Sequence, residues 1–97
     1  MTTIVIIELR AKQGSADDLL STFKQFTPQA RSSEGNISLD LIRGQDDPDV
    51  IVLYEQWETR NHFEKYLAWF EERGRRKIIE ALMEGEADVR YFDITPA

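Results

Sequence analysis

"ISLDLIRGQDDPDVIVLYEQW", residues 37–57, holds two strand-like runs around a turn. In the first, residues 37–43, Ile37, Leu39 and Leu41 alternate with Ser38, Asp40 and Ile42. The second, residues 50–57, is apolar throughout its first half. "GQDDPD" between them concentrates the residues that turn a chain, so the two runs are predicted to pair as an antiparallel hairpin.

Upstream, "TIVIIELRA" is β-branched and apolar on successive residues, which predicts a strand over about residues 3–11 covered on both faces. After Gly14 and Ser15, the apolar residues Ala16, Leu19, Leu20, Phe23, Phe26 and Ala30 recur at helical steps, with Asp17 and Asp18 where the helix dipole favours acids. Pro28 lacks the amide its turn needs and predicts a kink or an early end near Thr27; "SSEGN" then turns the chain. Downstream of the hairpin, Thr59 is placed to cap a second helix whose face carries Phe63, Tyr66, Leu67 and Phe70. Gly74 reads as its stop, "RRKIIEALME" as a further short helix before Gly85, and "ADVRYFDI", residues 87–94, as the last strand. The order β, α, β, β, α, α, β is the split β-α-β pattern of ferredoxin-like α+β domains: one four-stranded antiparallel sheet with helices on one face.

Helices on one face leave the other to solvent, yet Ile4 to Ile7 and Val50 to Leu53 place large aliphatic side chains on both. Each such side chain is worth about 1.5–3 kcal/mol when buried. The second face is therefore expected to pack on another copy, sheet on sheet, as a two-fold homodimer, the alternative being a face partly covered by the chain termini.

Composition narrows the function classes. The 97 residues, 41% of them hydrophobic, suffice for a single domain spanning residues 1–97. Twelve Lys+Arg against 18 Asp+Glu, net charge -6 and a pI near 4.7, argue against nucleic acid or a membrane surface as partner. The absence of cysteine removes disulfides and thiolate chemistry, and a single histidine builds no histidine-rich metal cluster, so no metal is expected. The N-terminal apolar run has neither a preceding basic segment nor a cleavage site behind it and reads as a strand of a soluble, cytoplasmic protein.

The chain resembles the antibiotic biosynthesis monooxygenase family of dimeric α+β barrel proteins, which includes cofactor-free quinol and anthrone oxygenases. The resemblance runs over about residues 3–94, through "IVIIELRAKQGSADDLL", the Glu34-Gly35 turn, "DDPDVIVLYEQWET" and the closing "RYFDI". Its most specific piece is the aromatic-Glu-x-Trp of Tyr54, Glu55, Gln56 and Trp57, followed at once by a helix. The resemblance implies a homodimer, no cofactor, and a small aromatic substrate that reacts with dioxygen. Tyr66, nine residues after Trp57, stands where many relatives have a histidine. The haem-degrading branch needs an asparagine in the first strand and a histidine on the helix. Here those places hold Ile6, Ile7 and Leu67.

The candidate site is the aromatic window from Tyr54 to Trp69 and its surroundings. Trp57, at a strand end, borders the pocket in the family resemblance or simply plugs the core. Tyr66 would hydrogen-bond a phenolic or quinoid oxygen, or would be a core residue with its hydroxyl in water. His62 is four residues earlier on nearly the same helix stripe and would take a proton near neutral pH, or would be solvated. Glu55 shares a strand face with Ile51, Leu53 and Trp57. That apolar setting would raise its pKa and make it a base, unless Arg10, Arg43 or Arg90 pairs with it. Phe63 is a candidate substrate-binding residue, and Trp69 and Phe70 are candidate substrate-binding walls or dimer rim. "EERGRRK" reads as a solvated charged face or as a gate for an anionic substrate. A cofactor-independent monooxygenase of quinol-type or polyketide-type aromatics is the leading function. A non-catalytic ligand-binding dimer, or an isomerase or dehydratase on the same scaffold, would also use this inventory.

Overall fold

A computed structural model describes residues 2–97. The 37–57 segment forms the predicted hairpin of β2 (Asn36–Arg43) and β3 (Val50–Trp57), in register Leu39 to Glu55 and Leu41 to Leu53. Backbone hydrogen bonds from Gly44 to Val50 and from Val50 to Asp47 close its turn. Strand β1 (Thr3–Ala11) pairs with β3 on one side and β4 (Met83–Asp93) on the other, giving the antiparallel order β2-β3-β1-β4. Helices α1 (Ala16–Arg31), α2 (Arg60–Glu72) and α3 (Arg75–Glu80) complete the ferredoxin-like α+β fold.

Period-two geometry sorts the sheet's side chains. Val5, Leu9, Ile51, Leu53 and Trp57 are buried on the helix side. They fall into two clusters, one built on Leu19 and Phe23 of α1 with Ile79 of α3, the other on Val5, Trp57 and Phe63. On the opposite face Ile6 lies beside Tyr54, and Val52 beside Ile42; Ile42 is 49% exposed and Phe92 42%.

Two local expectations are corrected. Helix α1 does not stop near Thr27; it runs through Pro28 to Arg31. The missing amide falls on the exposed side, where water can satisfy the Lys24 carbonyl, while the Thr27 hydroxyl donates to the Phe23 carbonyl at 2.8 Å. Tertiary contacts hold the last turn: Ala30 is buried, and the Arg31 guanidinium donates to the Leu39 carbonyl at 2.8 Å. The last strand starts at Met83 rather than Ala87, and α3 ends at Glu80. Buried Met83 pairs with Ala11, and the register then shifts between Glu8 and Arg10. Gly85, at φ +70°, lies in this bulge; it lets a strand resume where a helix end was expected.

The turn from α1 into β2 depends on a second glycine. Gly35 has φ +85°, and a Cβ there would meet the His62 ring at 2.3 Å. Its carbonyl accepts from the Glu58 amide at 2.7 Å, tying this turn to the start of α2.

Candidate functional site

Between the sheet and the helices lies a cavity of about 180 Å³. Ile7, Leu53 and Glu55 form part of its floor, Phe23 and Phe26 of α1 part of one wall, and Phe63, Tyr66 and Phe70 of α2 the other. The lining is apolar except for Glu55, Thr27, the Tyr66 hydroxyl and a charged group of Glu71, Arg76 and Glu80. Arg76 donates to Glu71 at 2.7 Å and approaches Glu80 at 3.8 Å, joining the end of α2 to α3.

Glu55 is the one buried charged residue among those described, at 2% exposure. Strand periodicity puts it on the helix side, and Trp57, two residues on, shares that face. The Trp57 indole Nε1–H donates to Glu55 Oε1 at 2.9 Å. Burial raises the Glu55 carboxyl to about 7, with the indole hydrogen bond acting in the opposite direction. None of the arginines considered as partners reaches it. Arg10 pairs with Asp47, Arg43 with Asp17, and Arg90 with Asp88 and Glu8. Arg10 and Arg90 are excluded by strand parity, since both belong to the opposite face.

Tyr66 sits in a run of rings: Trp57 at 5.5 Å, Trp69 at 5.9 Å and Phe70 at 6.0 Å between centroids. Its hydroxyl is pushed up to about 12, first by burial and then by the Glu55 charge, with Arg75 opposing. It is thus a neutral hydrogen-bond donor at physiological pH. Phe63 packs edge-on against both Trp57 and Tyr91, and Phe70 against Phe26.

The candidate residues separate in space. Glu55, Phe63, Tyr66 and Phe70 face the cavity. Trp57 is wholly buried behind the wall, outside the cavity lining, and touches the site through Glu55 and Tyr66. Trp69 lies behind Tyr66. His62 points away from the cavity: its ring packs on Gly35, its Nδ1 is 2.7 Å from the Thr59 hydroxyl, and its Nε2 is 3.6 Å from Glu34. Thr59 also accepts from the His62 amide, which is the expected N-cap of α2. "EERGRRK" is only partly a solvated face, because the Arg75 guanidinium lies over the Phe26 and Trp69 rings. Sequence reasoning missed Phe23 and Phe26 as walls. Their helical spacing reads equally as core.

Among the described residues, no group of three or more His, Cys, Asp or Glu side chains is placed to hold a metal ion. No helix among them is long and apolar enough to cross a membrane.

Fold and site together define a small ferredoxin-like α+β protein with an aromatic-walled cavity and a buried carboxylate in its floor. The sequence profile described as antibiotic biosynthesis monooxygenase matches residues 2–69, and the chain belongs to that family. A structure described as an antibiotic biosynthesis monooxygenase superposes with TM-score 0.86 at 22% identity, covering 97% of this chain and 99% of that one. SnoaB, a cofactor-independent oxygenase from Streptomyces nogalater, superposes with TM-score 0.85 at 16% identity over 99% and 95% of the two chains. Rv0793 from Mycobacterium tuberculosis gives 0.87 at 16% identity over 100% and 98%. At these identities the likeness is one of fold. No curated protein matches the sequence.

Proposed function

We propose that this chain is a cofactor-independent monooxygenase of quinol-type or polyketide-type aromatics in which Glu55 takes the substrate's proton. The observation that carries this reading is a carboxylate 2% exposed, in an apolar cavity, with an indole rather than a cation as its partner. A group near 7 is poised to accept a phenolic proton at neutral pH and to return it later in the cycle.

The chemistry balances without an outside reductant. Glu55 takes a proton from the hydroxyl, or from the ring methylene of an anthrone, and the resulting anion passes one electron to dioxygen. Superoxide and the substrate radical join at carbon, and protonation by Glu55 gives a hydroperoxide. Loss of water from a CH–OOH centre leaves a carbonyl, so one oxygen atom enters the product and the other leaves as water. The protein contributes position, a proton acceptor and exclusion of water. Tyr66, held neutral, donates to a substrate oxygen, while the ring lies between Phe63 and Phe70 of α2 on one side and Phe23 and Phe26 of α1 on the other. Trp57 and Trp69 stiffen this wall from behind.

Cavity size favours quinol-type substrates. A dry cavity of about 150 Å³ accepts benzene, so about 180 Å³ suits one or two fused rings. The apolar outer face, with Ile6, Ile42, Val52 and Phe92, supports a homodimer joined sheet to sheet.

The test is oxygen consumption by purified protein with dihydroxynaphthalenes and anthrones, beside Glu55→Gln and Tyr66→Phe. Uptake above autoxidation and suppressed in Glu55→Gln is the expected result. Heat stabilisation by the same compounds without uptake would instead make the cavity a binding site or an isomerase site.

A further inference from the structure

The inner end of the cavity, around Leu53, Glu55 and Phe63, is buried. The other end of its lining is in water: Glu71 near the close of α2, Arg76 and Glu80 on α3, and Ala87 and Val89 on β4 are all exposed. The mouth therefore lies between the α2–α3 corner and β4. Its three charged side chains form one group, with Arg76 donating to Glu71 at 2.7 Å and standing 3.8 Å from Glu80.

Two carboxylates against one guanidinium leave this rim net negative. Among the described residues Arg76 is the only basic side chain in the lining, and Glu71 already occupies it. Arg75, its neighbour, lies over the Phe26 and Trp69 rings, outside the lining. Inward, the next charged group is again acidic. Glu55 is 2% exposed, with the Trp57 indole on Oε1 and no partner on Oε2 among the described residues, so one oxygen is free for an occupant. From mouth to floor, an entering molecule meets carboxylates at both ends and no unpaired cation among the described residues. Apolar walls disfavour a charge of either sign. A net negative rim distinguishes the signs, by about three- to tenfold in affinity for each net charge at this range.

Building on the assignment of this cavity as the substrate site, we infer that Glu71 and Glu80, with Arg76 as their counter-ion, determine substrate specificity by charge. Rings carrying a carboxylate or another anionic group opposite the reacting hydroxyl are excluded, and rings with a neutral or ammonium group there are accepted. This reverses the gate for an anionic substrate that "EERGRRK" suggests as sequence, because the one arginine at the mouth is outnumbered by carboxylates. The rim acts on the substrate's own ionisation too. A phenolate is an anion, so the hydroxyl form enters and its proton is removed inside, where Glu55 stands.

Calorimetric titration at neutral pH without oxygen tests this with three probes on one ring system: 6-hydroxy-2-naphthoate, which is anionic, its neutral amide, and the cationic 6-(aminomethyl)-2-naphthol. Wild type should bind the amide and the amine at least about tenfold more tightly than the naphthoate. The double variant Glu71→Gln/Glu80→Gln keeps only the guanidinium at the rim and should shrink that preference by about tenfold. Arg76→Gln keeps only the carboxylates and should widen it by about threefold or more. Both variants break the same bridge, and exposed pairs contribute little to stability, so shifts of opposite sign report charge rather than a damaged fold. Salt at about 0.5 M should narrow the wild-type preference. Equal binding of the naphthoate and the amide, binding of no probe, or variants that leave the preference unmoved or move it in one direction would overturn the inference. Oxygen uptake with dihydroxynaphthalenes, measured on the same preparations, separates it from the oxygenase reading. Uptake without a charge preference sinks the charge selection alone. A preference that follows the rim in a chain that consumes no oxygen overturns the oxygenase reading and leaves the selection standing.

Discussion

Replacing Glu55 with glutamine should make the protein more stable above neutral pH and leave it almost unchanged in acid. The carboxyl is moved by burial from an ordinary 4.5 to about 7. At about 1.4 kcal/mol per pH unit that interval corresponds to about 3 kcal/mol. The sign follows from proton binding. Between these two values the folded chain holds a proton that the unfolded chain has released, so stability is greatest below about 4.5 and falls as pH rises through about 7. Above that, the charged form carries the whole cost. Glutamine has no such titration and still offers an oxygen to the Trp57 indole. Urea denaturation of both proteins at pH 4.5, 6 and 8, at one protein concentration, should give a difference near zero at the lowest pH. At pH 8 the difference should grow to about 3 kcal/mol in favour of the variant, a melting shift on the order of 10 °C for a domain of this size. The same variant should lose oxygenase activity by about 10²- to 10⁴-fold. A stability difference independent of pH, or one favouring wild type at pH 8, would refute the buried, unpaired carboxylate.

Trp57→Phe removes the hydrogen bond that favours the charged carboxylate. The midpoint of the pH–rate profile should therefore move upward, with the maximal rate less affected than in Glu55→Gln. Gly35→Ala combines a positive φ with a clash against the His62 ring and should cost about 2 kcal/mol or more in urea denaturation. His62→Ala should recover the clash part of that cost in the double variant, and alone should leave oxygen uptake within about twofold, because the imidazole faces Glu34 and Gly35. Pro28→Ala restores a helical amide and should raise stability by about 1 kcal/mol, below the interior-proline figure because the site is exposed and in the last turn. The proposed sheet-to-sheet homodimer predicts a dimeric mass for the wild-type chain in light scattering and a shift toward monomer in Ile42→Lys; a monomeric wild type, or a mass that Ile42→Lys leaves unchanged, would refute it.

Much of the architecture was legible because strand and helix periods are local. Alternation around "GQDDPD" produced the hairpin, and the three- and four-residue steps of Ala16 to Ala30 produced α1. Period two alone put Glu55, Leu53 and Trp57 on one face. Which face Arg10 and Arg90 take relative to Glu55 needed the observed β1–β3 and β1–β4 registers, and both had been weighed as its partners. Pro28 misled because local propensity has no term for Ala30 docking on the sheet or for the Arg31 bond to the Leu39 carbonyl. Gly85 misled because a positive φ serves a bulge as well as a helix end.

The site itself divides along the same line. Sequence established that an acid, two tryptophans and a tyrosine would fall close together, since they occupy one strand end and the helix after it. Only the tertiary structure decided how they are used. Which group faces Glu55 depends on where α1, α2 and α3 settle over the sheet, and those placements bring together residues as distant in sequence as Phe26 and Arg75. His62 and Tyr66, one helical turn apart, separate for the same reason: the Glu34-Gly35 turn captures the imidazole, while the phenol meets the cavity. A side chain's period is a property of its own element. Its partner and its solvation are set by the elements packed against it, and so the buried carboxylate emerges only in the folded chain.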